Sequence, residues 1–186
     1  TDNTQTKYLQ YAESFWQMVK DKHTYITGGN SEDEHFGADE VLDGERTVCN
    51  NETCNTYNML KLSRRLFVIT GDKKYADYYE TTLINAIMSS QDHKTGLTMY
   101  FQPMASGYQK VFGTLENSFW CCTGSGMENF TKLQDSIYFK GKNVIAVNQY
   151  LASKATGDGY VVEQTGDLSK DDTMVFEVSG DKITFN

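Results

Sequence analysis

The chain has 186 residues, a length that suits one domain or one domain plus part of another. Its net charge of -8 argues against nucleic acid or an anionic membrane surface as a partner. No apolar run approaches the roughly 20 residues that a membrane-spanning helix needs.

Residues 8–22 read as an amphipathic helix, with Leu9, Ala12, Phe15, Trp16 and Val19 at helical spacing. The polar, Gly-rich stretch 24–51 is long for a connection within a compact domain, and such loops often carry function. Asn55 is placed to cap a second helix reaching about Thr70, with Met59, Leu60, Leu62, Leu66 and Phe67 apolar and Gly71-Asp72 as the stop. A third helix spans about 74–89, lined by Tyr75, Ala76, Tyr79, Leu83, Ala86 and Ile87. The short turn between these two helices predicts an antiparallel hairpin.

Among the Gly-rich turns of 91–120, residues 97–102 are a short aromatic strand candidate. A fourth helix is expected from near Gly126 to Ser136, just after a Cys-Cys doublet, burying Met127, Phe130 and Leu133. Gly124 and Gly126 would serve the tight approach to it. After Tyr138 the pattern changes to short β-type runs at 143–151, 159–164, 173–178 and 182–185, separated by Gly and Asp turns. Helices first and strands afterwards predict a mainly α, then β chain in two units, 1–139 and 140–186. The last run has no closing element, so the chain reads as a piece of a longer protein. It opens on polar residues with no signal peptide in view.

The doublet is Cys121-Cys122, in Ser-Phe-Trp-Cys-Cys-Thr-Gly-Ser-Gly-Met-Glu-Asn. A disulfide between neighbours strains the intervening peptide, so metal binding or nucleophilic chemistry reads better. Upstream, Glu52-Thr53-Cys54 supplies two more groups of the kind that bind zinc, and three thiolates with one carboxylate make a tetrahedral shell. In an extended or turn segment, the i, i+2 spacing of Glu52 and Cys54 lets both reach one ion. The dipole of a helix beginning just after the doublet favours thiolate over thiol. Two blander readings stand beside this one: a Cys49–Cys54 disulfide in an exported protein, and a structural zinc site with all four groups as closed-shell ligands.

Thr27-Gly28-Gly29, Glu34-His35-Phe36-Gly37, Glu52-Thr53-Cys54 and Phe119-Trp120-Cys121-Cys122 occur in this order. Together they resemble glycoside hydrolase family 127 and its relative family 146, whose known members are β-L-arabinofuranosidases. The Cys-Cys-Thr-Gly-Ser-Gly-Met-Glu-Asn form is closer to the second. The resemblance covers roughly residues 8–150. It implies the second part of an (α/α)6 toroid followed by the first strands of a β-sandwich, with further sugar-binding residues, histidines among them, in an earlier half.

The resemblance further implies a retaining mechanism with a cysteine nucleophile in place of the usual second carboxylate. Glu52, Cys54, Cys121 and Cys122 align with ligands of Zn2+, and Cys121 with the nucleophile. Glu34 aligns with the general acid/base, Glu32 being the alternative if the loop register differs. Tyr100 falls where the family has an active-site tyrosine, or else is a half-buried strand tyrosine. Trp120 is a candidate to stack on a sugar, or else a core residue that holds the cysteine loop. Cys49 matches no ligand and reads as a small buried hydrophobe or a competing ligand. His23 and His93 read as surface residues. The implied substrates are arabinose-containing oligosaccharides, glycans or glycoproteins of plant type, and the implied setting is a bacterial enzyme exported to the periplasm or the cell exterior. The reading from another class is a non-catalytic carbohydrate-binding module with a structural zinc site.

Overall fold

The structure is a computed structural model and describes residues 3–142, 144–167, 170 and 172–180. The chain divides into two compact units, Thr1–Lys132 and Leu133–Asn186. The first holds helices α1 (Asn3–Lys22), α2 (Thr53–Thr70), α3 (Lys73–Thr82) and α4 (Cys121–Thr131). The second holds strands β1 (Tyr138–Lys140), β2 (Ile145–Val147), β3 (Ser153–Gly157), β4 (Tyr160–Thr165) and β5 (Val175–Gly180). No described helix is long and apolar enough to cross a membrane.

In α1 the inward stripe buries Trp16 and Val19, while Phe15 stays 44% exposed. Trp16 donates its indole N–H to Ser63 Oγ on α2 at 2.7 Å and meets Tyr75 edge-on at 4.6 Å between centroids. The tie uses the one polar atom of a buried tryptophan, as burial requires. The cap of α2 lies three residues before the expected one. Glu52, not Asn55, is the capping residue, and its carboxylate accepts from the Asn55 N–H. The helix ends as expected at Gly71, whose φ of 70° lets its N–H turn back to the Phe67 carbonyl.

Asp72 caps α3 by accepting from the Lys74 N–H at 3.0 Å. The expected third helix is three pieces rather than one, because α3 passes into a π turn, Leu83–Ile87, and then a 3-10 turn, Met88–Ser90. A π turn rotates the face that follows, and here Ala86 and Ile87 remain buried with Leu83. Met59, Leu60, Leu66, Tyr75, Leu83 and Ile87 form the centre of the α2–α3 hairpin. Each such side chain contributes about 1.5–3 kcal/mol by leaving water.

Residues 97–102 do not form the expected strand. They make isolated bridges, Gln91 with Thr98 and Met99 with Phe112. Their other backbone groups fasten onto the entry to α2: Thr53 N–H donates to Tyr100 O at 3.0 Å, and Gln102 N–H donates to Asn50 O at 2.8 Å. A segment bonded to a helix start has no free edge for a ladder.

α4 begins at Cys121 itself, not near Gly126. Met127, expected inside, is 52% exposed, and the buried residues of this helix are Cys122, Gly126 and Asn129. Gly126 is where a side chain has no room, since a Cβ there would lie 2.5 Å from Thr98 Oγ1. Its absence lets α4 lie against the segment that carries Tyr100. Gly124 faces open space and has no such role.

In the second unit, β1 pairs antiparallel with β2, Tyr138 opposite Val147. β3, β4 and β5 form an antiparallel sheet in that order, with Asp158 and Gly159 as the two-residue turn between β3 and β4. The expected run at 143–151 narrows to β2. β1 and β3 were not expected, because Tyr138–Lys140 is only 3 residues long and Ser153–Gly157 carries few apolar residues. Residues 182–185 lie outside the described residues.

Candidate active site

Two helix starts build the centre. Glu52 caps α2 and Cys54 is the second residue of that helix; Cys121 and Cys122 open α4. The pair Glu52 and Cys54 therefore sits on a helix N-terminus, not on the extended segment anticipated from its spacing. Glu52 divides its carboxylate between two tasks. Oε2 accepts from Asn55 N–H at 3.2 Å, and Oε1 lies 3.4 Å from Cys122 Sγ. Cys54 and Cys122 sulfurs are 3.2 Å apart, and the Cys54 N–H points at Cys122 Sγ at 3.4 Å. One ligand atom from each of Glu52, Cys54, Cys121 and Cys122 lies within 4.8 Å of all the others.

Exposure is graded across this cluster. Cys122 is 1% exposed and Glu52 8%, Cys54 is half-buried, and Cys121 is exposed. The thiols follow that grading. Burial pushes Cys54 up to about 11, and burial pushes Cys122 higher still. Cys121 moves the other way, chiefly because the Tyr100 hydroxyl donates a hydrogen bond to its sulfur. Two helix N-termini facing the sulfurs favour thiolate in addition.

The donor set fits a soft, four-coordinate cation such as zinc. Three thiols and a carboxylate converge, and the two inner thiols surrender their protons only to a compensating positive charge. All four cysteines are unbridged, so the Cys49–Cys54 disulfide is absent. Cys49 is not among the converging groups, and burial raises its thiol.

Tyr100 links the cluster to the acidic loop. Its hydroxyl lies 3.3 Å from Cys121 Sγ and hydrogen-bonds the Glu34 carboxylate. Both anionic partners push the Tyr100 phenol strongly upward, so it stays a donor. Glu34 adopts φ 67°, and its neighbours Ser31 and Asp33 also have positive φ. For residues with a Cβ this backbone costs on the order of 1–3 kcal/mol each and persists where surrounding bonds enforce it. Here Glu32 and His35 exchange backbone bonds at 2.9 Å, Asp33 N–H donates to Cys49 O, and Asn51 N–H donates to Ser31 O. Glu32 is engaged elsewhere, accepting from Thr47 Oγ1 at 3.2 Å, and Glu34 is the acid that meets Tyr100.

Trp120 is 55% exposed and meets Tyr100 edge-on at 5.9 Å. Both rings line an open cleft of about 340 Å³. His93 is exposed as expected, but His23 is not. At 6% exposure it is buried, its Nε2 3.3 Å from Asp39 and its ring 5.0 Å from Phe36. The sequence placed it in a polar stretch and gave no sign that Phe36 would fold back onto it.

Three supporting residues were not anticipated. Ser125 Oγ touches Cys54 Sγ at 3.1 Å from the next turn of α4. Asn51 accepts from Thr56 Oγ1 at 2.6 Å and donates to Gln102, which ties the Glu34 loop, α2 and the Tyr100 segment together. The Gly-Ser-Gly after the doublet was the one available sign for Ser125, whereas the Asn51–Gln102 pair spans 51 positions and leaves none.

Residues 2–135 match the family described as "Beta-L-arabinofuranosidase, GH127 catalytic domain". Among solved structures, a GH127 β-L-arabinofuranosidase from Geobacillus stearothermophilus T6 superposes with a TM-score of 0.75 at 22% identity, covering 92% of this chain and 29% of that one. A second GH127 β-arabinofuranosidase gives 0.75 at 26% identity, with coverages of 86% and 26%. A structure described only as a glycoside hydrolase gives 0.71 at 20% identity, with coverages of 89% and 32%. This chain thus spans less than a third of the length of each. Among curated proteins none matches significantly. The helices followed by antiparallel strands are those of the family's (α/α)6 toroid and β-sandwich fold, and with most of its length matched the chain belongs to the GH127 β-L-arabinofuranosidase catalytic-domain family.

Proposed function

We propose that this chain carries the reacting groups of a retaining glycoside hydrolase that releases β-linked L-arabinofuranose. The observation that carries the reading is the single Tyr100 hydroxyl shared by the Cys121 sulfur and the Glu34 carboxylate. A nucleophile and an acid/base that serve one anomeric carbon must lie this close together.

In the first half-reaction the Cys121 thiolate attacks the anomeric carbon. The electron pair of the glycosidic bond passes to the leaving oxygen, which Glu34 protonates. In the second half Glu34 takes a proton from water, the water oxygen attacks the same carbon, and the carbon–sulfur pair returns to Cys121. Tyr100 holds both groups in line and stabilises the thiolate by its hydrogen bond, which lowers the entropic cost of attack. Trp120, half-open beside Tyr100, is the stacking surface for sugar. Zinc held by Glu52, Cys54, Cys121 and Cys122 would supply the positive charge that keeps coordinating thiols deprotonated. Residues 1–139 are then part of the catalytic domain and 140–186 the start of a sandwich domain. Arabinose-containing oligosaccharides, glycans or glycoproteins are the substrates.

The test is peptide mass spectrometry on the full-length enzyme, acid-quenched during turnover of an activated β-L-arabinofuranoside. An anhydropentosyl adduct on the Cys121 peptide is expected; an adduct on Glu34, or turnover surviving Cys121→Ala, would contradict the assignment. A second reading has one observation in its favour: four donors close a tetrahedral shell, as in structural sites. A non-catalytic carbohydrate-binding module of this kind would bind arabinose-containing glycans without adduct formation in any full-length form.

A further inference from the structure

The cleft beside the reacting pair has a chemistry of its own. Val48, Tyr100, Phe101, Tyr108, Val111 and Trp120 line it, and among the described residues none of its lining side chains is charged. Its volume of about 340 Å³ falls in the ~300–1,000 Å³ range of small-molecule sites. Several of its apolar groups face solvent: Val111 is 74% exposed, Tyr108 58% and Trp120 55%. Lys110 lies between two lining residues, yet its ammonium is turned away and donates to the Ser89 carbonyl at 2.6 Å.

We propose that this cleft is the subsite for the part of the substrate beyond the attacked sugar, and that it accepts an uncharged sugar ring and rejects an acidic one. The assignment rests on Cys121 and Glu34 as the reacting pair. Continuity supplies the occupant: Tyr100 is at once a wall of the cleft and the partner of both reacting groups. Sugar rings carry an apolar C–H face that lies well on Trp120 and Tyr108, while Gln109 and the tyrosine hydroxyl supply polar contacts to ring hydroxyls. A uronate would leave its carboxylate without a cation among apolar walls, which is costly. Its charge would also be repelled by a chain of net charge -8.

The experiment uses the indole N–H signals of the 15N-labelled chain. There are two tryptophans. Trp16 is buried with its N–H on Ser63 and serves as the internal control. Methyl β-D-glucopyranoside and methyl β-D-glucuronide, which differ only in a carboxylate, are titrated in turn. The neutral sugar should shift the Trp120 signal saturably and leave Trp16 still, and the uronate should bind at least about ten-fold more weakly. Val111→Lys, at an exposed site, should narrow or reverse that preference. A Trp120 signal unmoved by the neutral sugar, equal binding of the two sugars, or a preference unchanged in Val111→Lys would overturn the proposal. The titration involves no turnover, so the fate of Cys121 as nucleophile is decided separately.

Discussion

Cys121 and Glu34 meet at one hydroxyl, yet unlike parts of the chain hold them. Cys121 belongs to a cluster built on the first turns of two packed helices. Glu34 sits on an irregular loop whose backbone is left-handed at three of four consecutive residues, Ser31, Asp33 and Glu34. The first arrangement gets its precision from helix geometry, and the second from cross-bonds to Cys49, Asn51 and Thr47. The difference teaches that helix geometry places the sulfurs, while the Glu34 carboxylate depends on bonds that a single substitution can loosen.

The largest effect should follow from removing the rigid partner. Cys121→Ala in the full-length enzyme should lower kcat by on the order of 10⁴-fold or more. Glu34→Gln should cost about 10²–10⁴-fold, and least for substrates whose leaving group needs no proton. Because Glu34 is exposed and glutamine fits the same backbone, the same variant should leave the melting temperature nearly unchanged. Kinetics with an aryl and an alkyl glycoside, alongside thermal melts, check both statements.

Much of this contrast was legible in the sequence. Cys54, Cys121 and Cys122 with Glu52 declared themselves by residue type, because few other roles need three cysteines and an acid in two short motifs. The helical hairpin followed from the spacing of Leu60, Leu66, Tyr75 and Leu83 and from Gly71. What stayed hidden depends on tertiary contact. Glu52 took the cap that Asn55 was expected to hold, since its carboxylate can reach both Asn55 N–H and Cys122. Residues 97–102 looked like a strand because Leu97, Met99, Tyr100 and Phe101 make a short apolar, aromatic run, but the start of α2 claimed their backbone. His23 was read by its polar neighbours and was buried by Phe36, thirteen residues on.

The proposed zinc would separate the two regions further. Chelation of the zinc-loaded protein should lower the melting temperature and speed amide exchange at the starts of α2 and α4, with less change at Glu34, because metal-binding energy is also folding energy. Zinc affinity should rise with pH. The metal displaces protons from thiols that burial has pushed up, Cys54 to about 11, so each pH step upward through neutrality weakens the competing proton. Competition with a chromophoric chelator across pH 6–8 reads this directly; a flat profile would remove the buried thiols from the ligand set.

Smaller effects belong to the shared hydroxyl and its surroundings. Tyr100→Phe removes the hydrogen bond that lowers the Cys121 thiol, so the pH midpoint of alkylation at Cys121 should move up. Activity should fall about ten-fold, comparable to one hydrogen bond to a charged group. Ser125→Ala removes only a contact to Cys54 sulfur and should weaken metal affinity by ten-fold or less.

The most direct test of the central claim is X-ray absorption at the zinc edge on protein purified with reductant and without chelator. A shell of three sulfurs at about 2.3 Å and one oxygen near 2.0–2.2 Å is predicted from Cys54, Cys121, Cys122 and Glu52. A shell dominated by nitrogen and oxygen, or one unchanged in Cys122→Ser, would contradict the account.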